Sequence, residues 1–223
     1  SYFEHNKRQR GLEILTHLQR GESVALVTDA GMPAISDPGE DLVKLCIEQQ
    51  VPVVPLPGPN AALTALIASG MPTGRFSFQG FLSMNKKNRR EHLSSISHHT
   101  ETLIFYEAPH KLKSTLHDLL ECLGNRRISL CRELTKKFEE FYRTDLRSAI
   151  SYYETNTPKG EFVLIVEGAA VEQDAAESIC PLSLEEIYQK YLDSGIPYKE
   201  ALKLAANDKG LTRRAAYDLL KKH

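Results

Sequence analysis

The chain alternates between short apolar runs rich in β-branched residues and longer segments in which apolar residues recur every three or four positions. Runs of the first kind predict buried strands, and segments of the second kind predict amphipathic helices. We expect helices between most of the strands, and we expect the strands themselves at 23–28, 51–56, 76–82, 102–106, 127–131, 139–143 and 161–167. Strands that alternate with helices in this way predict an α/β fold.

The pattern changes beyond residue 168. Residues 169–182 are rich in Ala, Glu and Asp without an apolar period, which is typical of a linker. Residues 183–223 follow with helical patterns at 184–192, 198–206 and 212–222, separated by turns that contain glycine. This helical domain is similar to a helix-turn-helix, and Arg213 and Arg214 on its last helix are candidates for RNA contact. Small helical units of this kind also dock onto proteins, so both interpretations stay open.

Charge and cysteine usage limit the function classes. The 28 basic and 29 acidic residues give a net charge of -1, so any nucleic-acid contact must depend on local patches. The four cysteines contain no CxxC pair, which predicts no metal site and a cytoplasmic, reducing environment. The longest apolar runs are far short of a membrane span. The chain begins with Ser1 and not with Met, which is consistent with a fragment of a longer protein.

Two strand-to-helix junctions carry small residues where a ligand would approach. The first, 28–39, reads TDAGMPAISDPG, and Gly31 and Gly39 allow close approach of its backbone. The second, 57–62, reads PGPNAA and opens a helix with Asn60 as its expected N-cap. In open α/β sheets ligands bind at the carboxyl edge of the strands, so both loops are candidate binding elements. Each one taken alone is equally typical of an ordinary connection.

Three further junctions carry charge. Residues 86–90 (KKNRR) start a predicted helix and form either a solvated face or a phosphate-binding patch. Glu107 ends the strand 102–106, where it either performs acid/base chemistry or interacts with the start of the next helix. Glu133 and Lys136 follow the strand 127–131 in the sequence RELTKK.

These motifs occur in the order seen in one protein family. VTDAGMPAISDPG, PLPGPNAA, FSFQGFL, TLIFYEAPHK, CRELTKK and KGEFVLIVEG resemble the tetrapyrrole methylase superfamily, and in particular its ribosomal RNA small subunit methyltransferase I branch. The resemblance covers nearly the whole chain. The family starts with a further strand and helix that carry a loop similar to ATPIGN, and no equivalent precedes Ser1 here.

The resemblance implies a bilobal α/β fold with a small carboxyl-terminal helical unit. The amino-terminal lobe would cover 1–81 and be incomplete, and the second lobe would cover 82–168. S-adenosylmethionine would lie in the cleft between the lobes, and the protein would be a homodimer. The residues that would hold the cofactor are Asp29, Ala30, Gly31, Met32, Pro33, Ala61, Ala62, Tyr106, Arg132 and Phe162.

The same resemblance implies methyl transfer to the ribose 2′-hydroxyl of a cytidine in 16S rRNA of the small ribosomal subunit. Such a reaction needs a base or a cation near the hydroxyl, and the candidates are Glu107, Glu133 and Lys136, with Glu107 first. RNA phosphates would bind a basic set formed by Lys86, Lys87, Arg89 and Arg90. Two alternatives stay open: a methyltransferase acting on a tetrapyrrole ring, and a helix-turn-helix regulator whose α/β part senses a ligand.

Overall fold

The structure is a computed structural model that describes residues 1–170 and 183–221. The chain divides into two compact units, Ser1–Ala169 and Ala170–His223. The linker predicted over 169–182 lies almost entirely outside the described residues. The boundary at residue 81 between two lobes of the larger part stays a prediction.

Within the described part of the first unit, five strands form one mixed sheet. The strands are β1 (Phe76–Phe81), β2 (Thr102–Glu107), β3 (Arg127–Arg132), β4 (Glu140–Asp145) and β5 (Phe162–Val166), in the spatial order β1-β2-β5-β3-β4. β1 runs parallel to β2, while β2–β5, β5–β3 and β3–β4 are antiparallel pairs. The predicted α/β class is confirmed.

Helices connect these strands and precede them. The first unit contains α1 (Lys7–Gln19), α2 (Glu40–Glu48), α3 (Ala61–Ser69), α4 (Lys86–Ser95), α5 (Pro109–Leu123) and α6 (Leu146–Thr155). The predicted cap of α3 is confirmed, since the Asn60 side chain accepts a hydrogen bond from the Leu63 backbone N–H. Asn85 and Asp145 cap α4 and α6 in the same way.

The sheet is covered on both faces, which explains its nearly continuous apolar strands. One face packs against α4, α5 and α6 and includes the side chain of Phe105. The opposite face packs against α3 and includes Ile104. Both side chains are fully buried. We refer below to the α5 face and the α3 face of the sheet.

Two expectations about strands are wrong. Residues 23–28 and 51–56 have strand-like composition but pair with no strand among the described residues, and Val27, Val54 and Leu56 are about four-fifths exposed. A strand needs a partner for its backbone groups, and composition alone does not provide one. The strand expected at 76–82 is confirmed as Phe76–Phe81. It forms the edge strand β1 and hydrogen-bonds to β2.

The second unit contains α7 (Leu184–Asp193), α8 (Tyr198–Asp208) and α9 (Arg213–Leu220), as the apolar periodicity predicts. Ser183 and Glu186 form a capping box at the start of α7, and Leu202, Ala206 and Ala216 pack together. The likeness to a helix-turn-helix stays a prediction. In the described ranges, no helix is both long and apolar enough to cross a membrane.

Candidate functional site

The Tyr106 ring is the centre of the candidate site. It lies near the end of β2 on the α3 face, and its hydroxyl oxygen accepts a hydrogen bond of 3.2 Å from the Ala62 backbone N–H at the start of α3. The rings of Phe78 and Phe81 from β1 pack edge-on against it, with centroids 5.0 and 5.5 Å away. One side chain therefore joins the second junction loop to two neighbouring strands.

The two glycine-bearing junction loops meet each other. A Cβ atom at Gly31 would lie 3.6 Å from the carbonyl oxygen of Pro59, and a Cβ atom at Gly58 would lie 3.3 Å from Cγ of Met32. The backbone of Gly31 has a φ of 75°, which favours glycine. A Cβ atom at Gly58 would press on Met32, whereas at Gly31 it is the backbone conformation and not the space that favours glycine. The two junction loops therefore lie against each other at Gly31, Met32, Gly58 and Pro59.

Tyr106 is held as a neutral phenol. Its pKa is raised, mainly by burial of the ring and to a smaller extent by the nearby carboxylate of Asp37. The hydrogen bond from the Ala62 N–H acts in the opposite direction and lowers the pKa. Because the phenol oxygen already accepts from Ala62, the hydroxyl proton is left to donate to a ligand. Asp37 is half-buried and accepts a 3.4 Å hydrogen bond from the Thr28 hydroxyl. Asp37 is not among the site residues predicted from the sequence, although its position in the ISDPG motif was the available signal.

The other cofactor residues predicted in the amino-terminal part differ in how far they are buried. Asp29 and Ala30 are exposed, Met32 and Pro33 are half-buried, and Ala61 is exposed beside the buried Ala62. The contacts above bring together Gly31, Met32, Ala62 and Tyr106.

Glu107 does not belong to this site. It follows Tyr106 in β2 and therefore points to the opposite face of the sheet, where it is 3% exposed. One carboxylate oxygen accepts a 2.9 Å hydrogen bond from the Ala108 N–H, and the other accepts a 2.5 Å hydrogen bond from the Thr115 hydroxyl. The alternative interpretation, an interaction with the start of α5, is the one that these contacts support. Glu107 is therefore not placed to act as a base in the Tyr106 site.

Arg132 and Phe162 also lie on the α5 face, away from Tyr106. The antiparallel register places Glu107 opposite Phe162 and Phe162 opposite Arg132. Residues in one such row share a face of the sheet, so the expected closure of the adenosine side by these residues together with Tyr106 is wrong. Arg132 and Phe162 instead line a cavity of about 460 Å³ near the end of α6.

Glu133 and Lys136 form a clasp at the end of β3. Lys136 Nζ lies 3.1 Å from the Glu133 carboxylate and 2.9 Å from that of Glu161. The Glu133 carboxylate also accepts a 2.9 Å hydrogen bond from the Glu161 N–H. The pKa of Glu133 is lowered, mainly by the hydrogen bond from the Glu161 N–H and next by Lys136. The pKa of Lys136 is raised, mainly by the Glu161 carboxylate and next by that of Glu133. A lowered pKa makes Glu133 a weak base, and a raised pKa keeps Lys136 cationic.

The four cations of the basic set have two different roles: the arginines form ion pairs inside the protein and the lysines face solvent. Arg89 is largely buried, and its guanidinium donates to the buried carboxylate of Asp118 at 2.6 to 2.7 Å. Arg90 pairs with Glu121 and, at 3.4 Å, with Asp118, both on α5. These two arginines therefore join α4 to α5.

The lysines of the same run face solvent. Lys86 is exposed, and Lys87 is exposed apart from a long 3.8 Å contact with Glu91. In the second unit, Arg213 and Arg214 are exposed at the start of α9. No cluster of His, Cys, Asp and Glu able to hold a metal ion occurs in the part of the chain that the structure describes.

Comparison with known proteins gives a family match. Residues 3–150 match the family model of Tetrapyrrole (Corrin/Porphyrin) Methylases. The chain is 49% identical to Ribosomal RNA small subunit methyltransferase I of Halalkalibacterium halodurans, covering 98% of this chain and 76% of that protein. It is 46% identical to the Bacillus subtilis protein of the same name (98% and 75% covered) and 42% identical to that of Escherichia coli O157:H7 (96% and 74% covered).

Solved structures support the fold. The methyltransferase CobJ matches with a TM-score of 0.56 and 24% identity, covering 73% of this chain and 71% of that one. Diphthine synthase matches with a TM-score of 0.56 and 12% identity, covering 75% and 68%. At these identities the likeness concerns the fold alone.

Proposed function

We propose, from the premise that this chain belongs to the family of tetrapyrrole (corrin/porphyrin) methylases, that it is an S-adenosylmethionine-dependent methyltransferase acting on small-subunit ribosomal RNA. The acceptor would be the ribose 2′-hydroxyl of a cytidine in 16S rRNA. The supporting observation is the 49% identity to Ribosomal RNA small subunit methyltransferase I, which covers 98% of the chain and so extends beyond the 3–150 family match. A tetrapyrrole acceptor would not account for similarity over the terminal helical unit.

The residues around Tyr106 fit a sulfonium nucleoside. The close approach of Gly31 and Met32 to the loop at Gly58 forms a thin wall of backbone, and backbone groups can contact a ligand there without a side chain between them. The Tyr106 hydroxyl keeps a proton to donate. Gly31, Met32, Ala62 and Tyr106 would hold the cofactor, with Asp29, Ala30, Pro33 and Ala61 beside them. When bound, S-adenosylmethionine supplies an electrophilic methyl group on a cationic sulfur.

The chain's main contribution would be positioning and proton removal. Methyl transfer requires the acceptor oxygen in line with the methyl group, which favours rigid walls such as the packed rings of Phe78 and Tyr106. With Glu107 buried on the other face, Asp37 is the half-buried carboxylate beside Tyr106, and we propose it as the acceptor of the hydroxyl proton. Lys136 remains a candidate for stabilising negative charge on the oxygen, and Glu133 would orient Lys136.

RNA phosphates would contact Lys86 and Lys87 at the exposed start of α4. Such contacts fix the position of the RNA without reading its bases. Arg89 and Arg90 would act indirectly, because their ion pairs with α5 hold the helix that presents the lysines. Arg213 and Arg214 would add phosphate contacts from the second unit.

We further propose that the protein works as a homodimer in the cytoplasm. Leu56 and Ile67 are exposed by 79% and 77%, and apolar side chains of this size favour burial by a second copy. Sedimentation measurements at several concentrations test the dimer, and a monomer at all of them would contradict it.

The test of the reaction is transfer of tritiated methyl groups from S-adenosylmethionine to small ribosomal subunits that lack the modification. We expect label in RNA, located by nuclease digestion at the ribose of one cytidine. Label in a base or in a protein would refute the 2′-hydroxyl assignment. Transfer to a tetrapyrrole and not to RNA would favour the first alternative. Sequence-specific DNA binding without methyl transfer would favour the regulator.

A further inference from the structure

The cavity on the α5 face is a second candidate binding site. It lies at the ends of β3 and β5 and beside the carboxyl end of α6, and its volume of about 460 Å³ is within the usual range for small-ligand sites. The side chains that give it its chemistry are Arg132, Glu140, Tyr152, Tyr153, Lys159 and Phe162. None of them takes part in the contacts around Tyr106.

Aromatic rings form a graded wall in this cavity. Phe162 and Tyr153 are 2% and 6% exposed and meet edge to face at 6.0 Å, while Tyr152 is 40% exposed and meets Tyr153 at 5.0 Å. Fixed rings at the base and one ring open to solvent suit the stacking of a flat ligand. Burial, and to a smaller extent Glu140, raises the Tyr153 pKa to about 12, so that phenol stays neutral.

Polar groups next to these rings match the edge of a nucleobase. Arg132 Nε lies 2.9 Å from a Glu140 carboxylate oxygen, and the two side chains keep 27% and 46% of their surface exposed. Because the guanidinium carries five N–H donors, its partly exposed end can still donate to an acceptor on a ligand. The Glu140 carboxylate is half-exposed and can accept from an exocyclic amine. A donor and an acceptor side by side can therefore read a base that carries both groups.

Charge at the rim favours an anion. Lys159 is exposed and forms no ion pair within the described ranges. With Arg132 it gives two cations against the one carboxylate of Glu140, so the site is net positive and suits a phosphate next to the stacked base.

We propose that this cavity binds one unpaired nucleotide of the RNA substrate, with its base against the tyrosine rings and its phosphate at Lys159. The inference rests on the proposed function. Arg132 and Phe162 lie in the row that ends at Glu107, the neighbour of Tyr106. With strands about 4.8 Å apart, Arg132 is roughly 10 Å from the end of β2. One RNA segment can therefore reach both sites across the same edge of the sheet.

The test uses Tyr152→Leu and Lys159→Ala, singly and together, with Lys113→Ala as the matched control because Lys113 is an exposed lysine on α5. Equilibrium dissociation constants are measured for protein-free 16S rRNA, for small subunits and for S-adenosylmethionine. We expect the double variant to bind both RNA forms at least about tenfold more weakly, as loss of one stacking contact and one phosphate contact implies. We expect unchanged cofactor affinity, and RNA binding within about twofold of the parent for the control.

Several results would overturn the proposal. RNA affinity equal to that of the parent, or a loss no larger than that of Lys113→Ala, would refute it while leaving methyl transfer intact. A loss for small subunits but not for protein-free rRNA would assign the cavity to a ribosomal protein. A parent that neither binds nor methylates RNA would refute the proposed function and this inference with it. If Tyr152→Leu lowers the melting temperature, Lys159→Glu at the exposed rim gives the same comparison without touching the aromatic wall.

Discussion

Glu107 gives the sharpest test of how the site is divided by the sheet. Its two carboxylate oxygens accept from the Ala108 N–H at 2.9 Å and from the Thr115 hydroxyl at 2.5 Å, and the side chain is 3% exposed. In Glu107→Gln, the amide oxygen can keep one bond and the amide NH₂ can donate to the Thr115 hydroxyl, which rotates to accept. In Glu107→Ala both partners lose their bonds inside the protein.

The expected costs differ clearly between the two variants. Replacing two hydrogen bonds to a charged group by two neutral ones costs about 1–3 kcal/mol for Glu107→Gln. In Glu107→Ala two buried donors are left unsatisfied at about 1–3 kcal/mol each, and the vacated volume adds to that cost. At about 2–4 °C per kcal/mol for a domain of this size, we expect Glu107→Gln to lose roughly 2–12 °C in melting temperature. For Glu107→Ala the two donors alone imply a loss of roughly 4–24 °C, and the vacated volume increases it.

The assay combines calorimetry with methyl transfer to small subunits, measured below the lowest melting temperature. We expect Glu107→Gln to keep its rate within about threefold, whereas loss of a general base would lower the rate by about 10²–10⁴-fold. Thr115→Val is the companion variant, since it removes the partner hydroxyl and should lower stability without lowering the rate. A Glu107→Gln protein that melts like the parent but has lost its activity would refute the structural role.

Three further predictions each follow from a different contact. Gly160→Ala should cost several kcal/mol, because Gly160 has a φ of 79° and its Cβ would lie 2.8 Å from a Glu133 carboxylate oxygen. Gly70→Ala is the matched control, since Gly70 is left-handed at φ 79° with open space around it, and it should cost about 1–2 kcal/mol. Equal melting temperatures for the two variants would contradict this. Tyr106→Phe should weaken S-adenosylmethionine binding by about tenfold in calorimetric titration, and unchanged binding would remove the hydroxyl from the site. Arg89→Met should lower the melting temperature, because it breaks the ion pair with Asp118. Lys86→Met should leave the melting temperature unchanged and should reduce the slope of log K against log salt for RNA binding by about one. A loss of stability for Lys86→Met together with a reduced salt slope for Arg89→Met would refute the division of the basic set.

Local patterns in the sequence predict most of the elements but not their pairing. The strand β5 (Phe162–Val166) is fully apolar and lies buried in the middle of the sheet, as its composition suggests. Residues 51–56 are similarly apolar, yet Val54 and Leu56 are exposed because no described strand pairs with them. Hydrogen bonding between strands is a non-local property, so apolar composition cannot decide between these two outcomes.

The basic set shows the same limit for side chains. Arg89 and Asp118 are separated by 29 residues, and nothing near residues 86–90 indicates that a buried carboxylate awaits one of the four cations. Helix periodicity places Lys86 on the same face as Arg89 and Arg90, three and four positions away, so it does not show which of these cations meets α5. The ion pairs between α4 and α5 decide this, and they make two of the four cations in the basic set part of the structural framework.

The division of the candidate site follows from two properties of the sheet, of which only one is visible in the sequence. Side chains alternate along a strand, so consecutive residues such as Tyr106 and Glu107 cannot face the same ligand. The register that aligns Glu107, Phe162 and Arg132 is set by pairing between distant segments, and it appears only in the folded chain. Because Glu107 and Phe162 in this row are almost completely buried, the row cannot shift without disrupting the core. The separation between the Tyr106 site and the nucleotide cavity is therefore fixed by the core, and a substrate must match that spacing to occupy both.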